Sequence, residues 1–229
     1  MIDESEIADR LAAVRERIAH AVRRSGRAVG DVTLVLASKT QPPEAIAAAH
    51  RAGARDFGEN YVQEAARKRD ALATFVELRW HLIGHLQSNK ARLAVRTFDL
   101  IQCLDSARLA NALARVRSAP RVRVLIEVNL AGEATKAGAA PGGIEALVEA
   151  ARDEVDVLGL MTIPPPSQGA DGARRYFARL RECRDRLAAG TGLELSELSM
   201  GMTDDFEVAI EEGATMIRIG RAVFGERAK

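Results

Sequence analysis

Several things are scarce in this chain, and each scarcity excludes something. Two cysteines, Cys103 and Cys183, occur in 229 residues. Their spacing fits neither a disulfide framework nor a zinc site. Cys103, inside "DLIQCLD", reads as a small core residue, and Cys183 as an inert member of a helical stretch. No apolar run reaches the roughly eighteen residues of a membrane span. The N-terminal "MIDESEIADRLAAVRERIAHAVRRSG" is charged throughout and has no signal-peptide core. These two absences predict a cytoplasmic protein that does not engage a membrane. Net charge is also missing: 33 basic residues face 32 acidic ones, for a balance of +1. A nucleic-acid binder usually carries a basic excess, so that partner is not expected.

Lysine is the last scarcity, and it has a use. The basic residues comprise 28 arginines and only five lysines, at positions 39, 68, 90, 136 and 229. Arginine is the routine surface cation here, so a lysine in apolar surroundings stands out.

What is present reads as a core-forming chain, 47% hydrophobic and 28% charged. Up to Arg24 the apolar residues Ile7, Leu11, Val14, Ile18 and Val22 recur at helical spacing. Asp3 or Ser5 can cap that helix and Gly26 ends it. A rhythm of strand and helix follows. Strands are expected at 32–39, 55–60, 78–84, 99–105, 121–130, 155–164, 193–201 and 215–225. Helices are expected at 42–53, 61–72, 88–97, 106–118, 144–153, 170–189 and 203–213, with Ser106 as one N-cap and Thr203 or Asp204 as another. Alternation of this kind means parallel pairing. Eight units in about 200 residues is the count of a closed (β/α)8 TIM barrel, carrying one extra N-terminal helix over 1–26. An open doubly wound sheet is the alternative, but the first turn, "SKTQPP", has no glycine for it. The whole chain, 1–229, reads as one domain, with nothing after the last strand.

In such a barrel the chemistry sits where the strands end. The first strand, "VTLVLASK", ends on Lys39. A lysine in a partly dry pocket loses its charge more readily, and a neutral amine is a nucleophile suited to Schiff-base formation. The competing reading is a lysine that snorkels to solvent. "SMGMTDDFEVAI" (199–210) is a strand end, a small turn and a helix start, an arrangement that binds anions. In "IRIGRAVFG" (217–225), Gly220 lets the backbone approach a ligand. The loops after strands seven and eight are the recurrent phosphate site of this fold. Arg218 points either into the mouth or into a salt bridge. His81 and His85 lack the helical metal-binding pattern, and His81 reads as pocket-lining or core. Lysine plus phosphate site calls for an aldehyde bearing a phosphate. Pyridoxal 5′-phosphate and a sugar-phosphate aldolase substrate both answer.

At these residues the sequence resembles the pyridoxal phosphate homeostasis family, whose barrel is that of the alanine racemase N-terminal domain. The stretches that carry the resemblance are "ASKTQP", "FGENYVQEA", "WHLIGHLQSNK", "VLIEVNLAGEATKAG", "GLMTIPP" and "LSMGMTDDFEVAIEEGATMIRIGRAVFGER", in family order. The resemblance implies that Lys39 holds pyridoxal 5′-phosphate as a Schiff base. It implies phosphate contacts from Ser199, from the backbone near Met200 and Gly201, and from Gly220 and Arg221. It places Arg218 against the pyridine nitrogen, with Asn60 and His81 lining the pocket. Arg221 departs from the family, where a small hydroxyl residue is expected.

The implied role is a protein of vitamin B6 homeostasis that holds and passes on the cofactor, to pyridoxal-phosphate-dependent apo-enzymes among others, without turnover of its own. The alternative is a small enzyme of the amino-acid racemase type. A racemase needs a second acid/base, which in the related racemases is a tyrosine from an extra domain. This chain has only Tyr61 and Tyr176, both on expected helices. A monomer is expected, and no metal.

Overall fold

The computed structural model describes residues 3–116, 120–133, 137–165 and 169–226. Lys136 and Lys229 lie outside the described residues. The eight strands are β1 (Thr33–Ala37), β2 (Asp56–Glu59), β3 (Arg79–Leu82), β4 (Leu100–Leu104), β5 (Arg123–Glu127), β6 (Asp156–Met161), β7 (Glu197–Ser199) and β8 (Met216–Ile219). Each pairs in parallel with the next, and β8 returns to β1 to close the barrel. The helices α1 (Glu4–Arg24), α2 (Pro43–Arg51), α3 (Val62–Ala71), α4 (Ala91–Thr97), α5 (Ala107–Ala114), α6 (Ile144–Ala151), α7 (Ala170–Thr191), α8 (Phe206–Glu211) and α9 (Arg221–Phe224) complete it.

The local signals act as their chemistry dictates. Asp3 caps α1 by accepting from the N–H groups of Ser5 and Glu6. Pro43 opens α2, where its missing N–H leaves no bond unmade. Ser106 caps α5 through the Leu109 N–H. The apolar stripe of α1 is buried against α2, α8 and α9. The main core lies between strand wall and helices. A smaller cluster of Leu100, Leu125, Met161 and Met216 fills part of the interior.

Three expectations need correction. The first strand does not run to Lys39. Its ladder with β2 ends at Ala37 and Gly58, after one more bond from Ser38 N–H to Gly58 O. Thr40 then takes φ 67°, which no strand allows. The last strand does not run to Gly225. It stops at Ile219, Gly220 turns to φ −119° and ψ −73°, and Arg221–Phe224 form α9. Each of the eight strands is therefore followed by a helix. The cap of α8 is Asp205, not Thr203 or Asp204, and its carboxylate accepts from Met202 N–H at 2.7 Å.

Candidate functional site

Lys39 occupies the second place of a tight turn. Ser38 O accepts from Gln41 N–H at 2.9 Å, and left-handed Thr40 is the third residue. The lysine lines a cavity of about 440 Å3 with Ala37, Gln41, Gly220, Arg221 and Phe224. That volume is within the range of small-molecule sites. Gly220 stands where β8 meets β1, and an added Cβ would lie 3.1 Å from Ala37 O. The sequence places Lys39 and Gly220 181 residues apart, and barrel closure makes them neighbours.

Gly201 follows β7 with φ 93°, and a Cβ there would come within 2.5 Å of Ala209 Cβ. Its carbonyl accepts from Arg218 N–H at 2.9 Å, so the turn after β7 is tied to β8. Met200 is fully buried beside it. Arg221 is exposed and paired with Asp204 and Glu226, which draws the loop before α8 toward the start of α9.

Arg218, Ser199 and His81 belong to a buried chain of hydrogen bonds across the barrel interior. Arg218 Nη1 donates to Ser199 Oγ at 2.6 Å, and its Nη2 donates to Thr162 O at 2.9 Å. Ser199 Oγ donates to Gln102 Oε1 at 2.6 Å. Strands β4 and β7 are not neighbours, so this bond spans the interior. The Gln102 amide nitrogen meets His81 Nδ1 at 3.0 Å, and His81 Nε2 meets Asp56 Oδ1 at 2.9 Å. A carboxylate only accepts, so the His81 proton is on Nε2 and Nδ1 receives from Gln102. Arg79 clamps Asp56 at 2.7 and 2.5 Å. Burial pushes the Asp56 carboxyl up, but its bonds to His81 and Arg79 outweigh that and hold it below its ordinary value. The sequence left Arg218 between mouth and salt bridge. Its guanidinium lies inside, and its two named partners are neutral oxygens.

The interior field is set by few charges. Burial lowers Arg218 to about 10, opposed by Glu127 and Asp205. Burial raises Glu127, at the end of β5, to about 7, opposed by Arg218.

The sequence-derived residues thus fall into two groups. Lys39, Gly220 and Arg221 share the cavity, with Gly201 and Met200 on the adjoining strand end. Ser199, His81 and Arg218 form the interior chain and are not among the cavity-lining residues. Asn60 follows β2, half-buried and packed under Gly84, whose Cβ would come 2.6 Å from Asn60 O. Sequence reasoning passed over Gln102, Asp56, Glu127 and Lys68. Gln102 had a signal, a lone amide within the apolar "LIQCL".

Comparison with known proteins agrees with the barrel fold. The family model for the alanine racemase N-terminal domain matches residues 10–228. A pyridoxal phosphate homeostasis protein of Aquifex aeolicus is 45% identical over 223 residues, covering 96% of this chain and 97% of its own. One from Pseudomonas aeruginosa is 44% identical, covering 97% and 96%. The structure of PipY from Synechococcus elongatus with pyridoxal phosphate bound is 39% identical, with a TM-score of 0.84 over 96% of this chain and all of the other.

Proposed function

The chain belongs to the pyridoxal phosphate homeostasis family, and we propose that it binds pyridoxal 5′-phosphate covalently through Lys39 and buffers it for delivery to apo-enzymes in the cytoplasm. The observation that carries this reading is the shared cavity of Lys39 and Gly220, one amine beside one close-approach turn at the seam of the barrel.

The residues present fit this cofactor. It supplies an aldehyde that condenses with a primary amine, releasing water. Lys39 provides the amine at the cavity wall. Backbone at Met200, Gly201, Gly220 and Arg221 holds the phosphate, since both turns follow strands seven and eight and glycine leaves room there. Arg218 presents a fixed cation from the interior, oriented by Ser199 and Thr162. A cation facing the ring nitrogen keeps it unprotonated and weakens the ring as an electron sink. Asn60 borders the mouth. Ser199 and His81 act through the interior chain that sets Arg218.

A binding role is favoured over a racemase on one observation. Among the described residues neither tyrosine lines the Lys39 cavity. Tyr61 is 63% exposed at the start of α3, and the Tyr176 hydroxyl accepts from Arg175 on α7. A racemase needs a second proton carrier facing the first. We take the working unit to be a monomer, because the apolar stripe of α1 is covered by its own barrel.

The test is an absorption spectrum of protein mixed with pyridoxal 5′-phosphate, followed by borohydride reduction and peptide mass mapping. A visible band and a reduced pyridoxyl group on Lys39 support the reading. A protein that stays colourless overturns it. Interconversion of D- and L-amino acids above the level of free cofactor would replace buffering by catalysis.

A further inference from the structure

Lys68 is buried on α3, and the function described so far does not use it. Its Nζ lies 2.9 Å from Ser38 O, 2.8 Å from Glu59 Oε1 and 2.6 Å from Glu64 Oε1. An ammonium has three protons, and here three acceptors take them. Lys68 is therefore a cation with no lone pair to offer, the opposite of a second nucleophile. Its partners do not stop at Lys68. Glu59 Oε1 also accepts from Ser38 Oγ at 2.7 Å, and Glu64 Oε1 also accepts from Thr40 N–H at 2.9 Å. The residues immediately before and after Lys39 are thus both tied to one buried cluster.

The turn needs such support. Thr40 is the sole non-glycine residue with positive φ among the described residues. A β-branched side chain in the left-handed region is strained and persists only where the surroundings enforce it. Ser38 O accepts from both Gln41 N–H and Lys68 Nζ, which uses both of its lone pairs. The Thr40 amide is held by Glu64. The cluster fixes the two peptide groups that flank Lys39 and leaves the Lys39 side chain on the cavity wall.

We infer that Lys68, with Glu59 and Glu64, is a positioning residue that holds the Ser38–Gln41 turn so that the Lys39 amine meets the aldehyde of its ligand. This rests on the proposed covalent role of Lys39. The cluster acts on the amine's placement, and among the described residues none of its hydrogen bonds runs to the phosphate turns after β7 and β8. It should matter for a ligand that reacts with the amine and not for one of the same shape that cannot.

The experiment compares pyridoxal 5′-phosphate with pyridoxine 5′-phosphate, which has an alcohol in place of the aldehyde. Lys68→Met and Glu64→Ala are measured beside the natural chain. Both variants are expected to lose about tenfold in affinity for the aldehyde. Pyridoxine 5′-phosphate should bind unchanged, and Glu64→Gln, which keeps an acceptor for Thr40 N–H, should restore the aldehyde affinity. Hydrogen exchange at Lys39–Gln41 should accelerate in the cofactor-free variants. Glu64 is partly exposed, so Glu64→Ala decides the matter if Lys68→Met does not fold. Equal losses for both ligands, or no loss for either, overturn the inference. If the natural chain forms no reducible adduct, the Lys39 reading itself fails, while unchanged exchange at 39–41 would overturn the clamp independently.

Discussion

Arg218 Nη1 donates to Ser199 Oγ at 2.6 Å, and the same hydroxyl donates onward to Gln102. The Ser199 side chain is fully buried and serves as a joint between β8 and β4. Ser199→Ala removes an acceptor from a buried guanidinium and a donor from a buried amide. Leaving such groups unpaired costs about 1–3 kcal/mol. Urea unfolding of the cofactor-free variant should show that loss, while affinity for pyridoxal 5′-phosphate changes by no more than about threefold. A tenfold affinity loss at unchanged stability would instead place the hydroxyl on the phosphate.

Lys39→Ala separates the amine from the turn that carries it. The bonds of Ser38, Thr40 and Gln41 are made by backbone and by Lys68, Glu59 and Glu64, and the substitution touches none of them. The variant should therefore keep the turn's own hydrogen bonds, seen as unchanged hydrogen exchange at Thr40 and Gln41 without ligand. It should form no borohydride-reducible adduct and lose at least about tenfold in affinity for the aldehyde, with pyridoxine 5′-phosphate unaffected. Titration calorimetry with both ligands checks this. A retained adduct, mapped to another lysine, would move the nucleophile elsewhere.

The barrel was legible because alternation of strand and helix is written in local periodicity. Lys39 was legible because a charge at the end of an apolar strand contradicts its surroundings. Lys68 was not, although it is one of only five lysines. It falls in "EAARKRDA", where charges on all sides describe a solvated face. Only the packing of α3 against β2, which brings it to Glu59 and Ser38, turns it inward. The interior chain was half legible. Ser199 and Arg218 were singled out for their position at strand ends. Their mutual bond joins the neighbouring strands β7 and β8, but only barrel closure brings Gln102, 97 positions from Ser199, to the same hydroxyl. The missed α9 has a related cause. "IRIGRAVFG" is apolar enough for a strand, and what stops it is the end of the ladder with β1 at Leu36 and Ile219.

Glu127 gives the stability a pH dependence with a definite sign. Burial, partly offset by Arg218, raises its carboxyl from 4.5 to about 7. Between those values the folded chain holds more protons than the unfolded one. The contribution to stability is thus full below about 4.5 and is lost as pH rises through 7. At about 1.4 kcal/mol per unit the loss is on the order of 3 kcal/mol. Glu127→Gln should match the natural chain at pH 4.5 and exceed it above pH 7. Asp56 and Glu64, held below their usual range by their partners, act in the opposite sense at lower pH and cancel in the difference. A difference in unfolding free energy that stays constant across this range would sink the assignment.

The two glycines after β7 and β8 should respond differently to alanine, for reasons the backbone supplies. Gly201 combines φ 93° with a neighbour, Ala209 Cβ, at 2.5 Å from any added Cβ, and Phe206 Cα at 3.0 Å. The conformation and the clash both oppose a side chain, and α8 would have to move away from the strand. Gly201→Ala should lose about 2–4 kcal/mol of stability. Gly220 has φ −119°, which alanine accepts, and among the described residues its only tight neighbour is Ala37, with the carbonyl at 3.1 Å and Cβ at 3.4 Å. Gly220→Ala should cost about 1 kcal/mol or less. It acts at the seam between β1 and β8, beside Ala37, which is two residues before Lys39, and it narrows the approach to the α9 backbone. Its larger effect should therefore be on phosphate-bearing ligands, pyridoxine 5′-phosphate included, each weakened about tenfold. This is the reverse of the pattern expected for Lys39→Ala. If Gly220→Ala weakens only the aldehyde, the backbone after β8 does not hold the phosphate, and Gly220 serves the lysine turn alone.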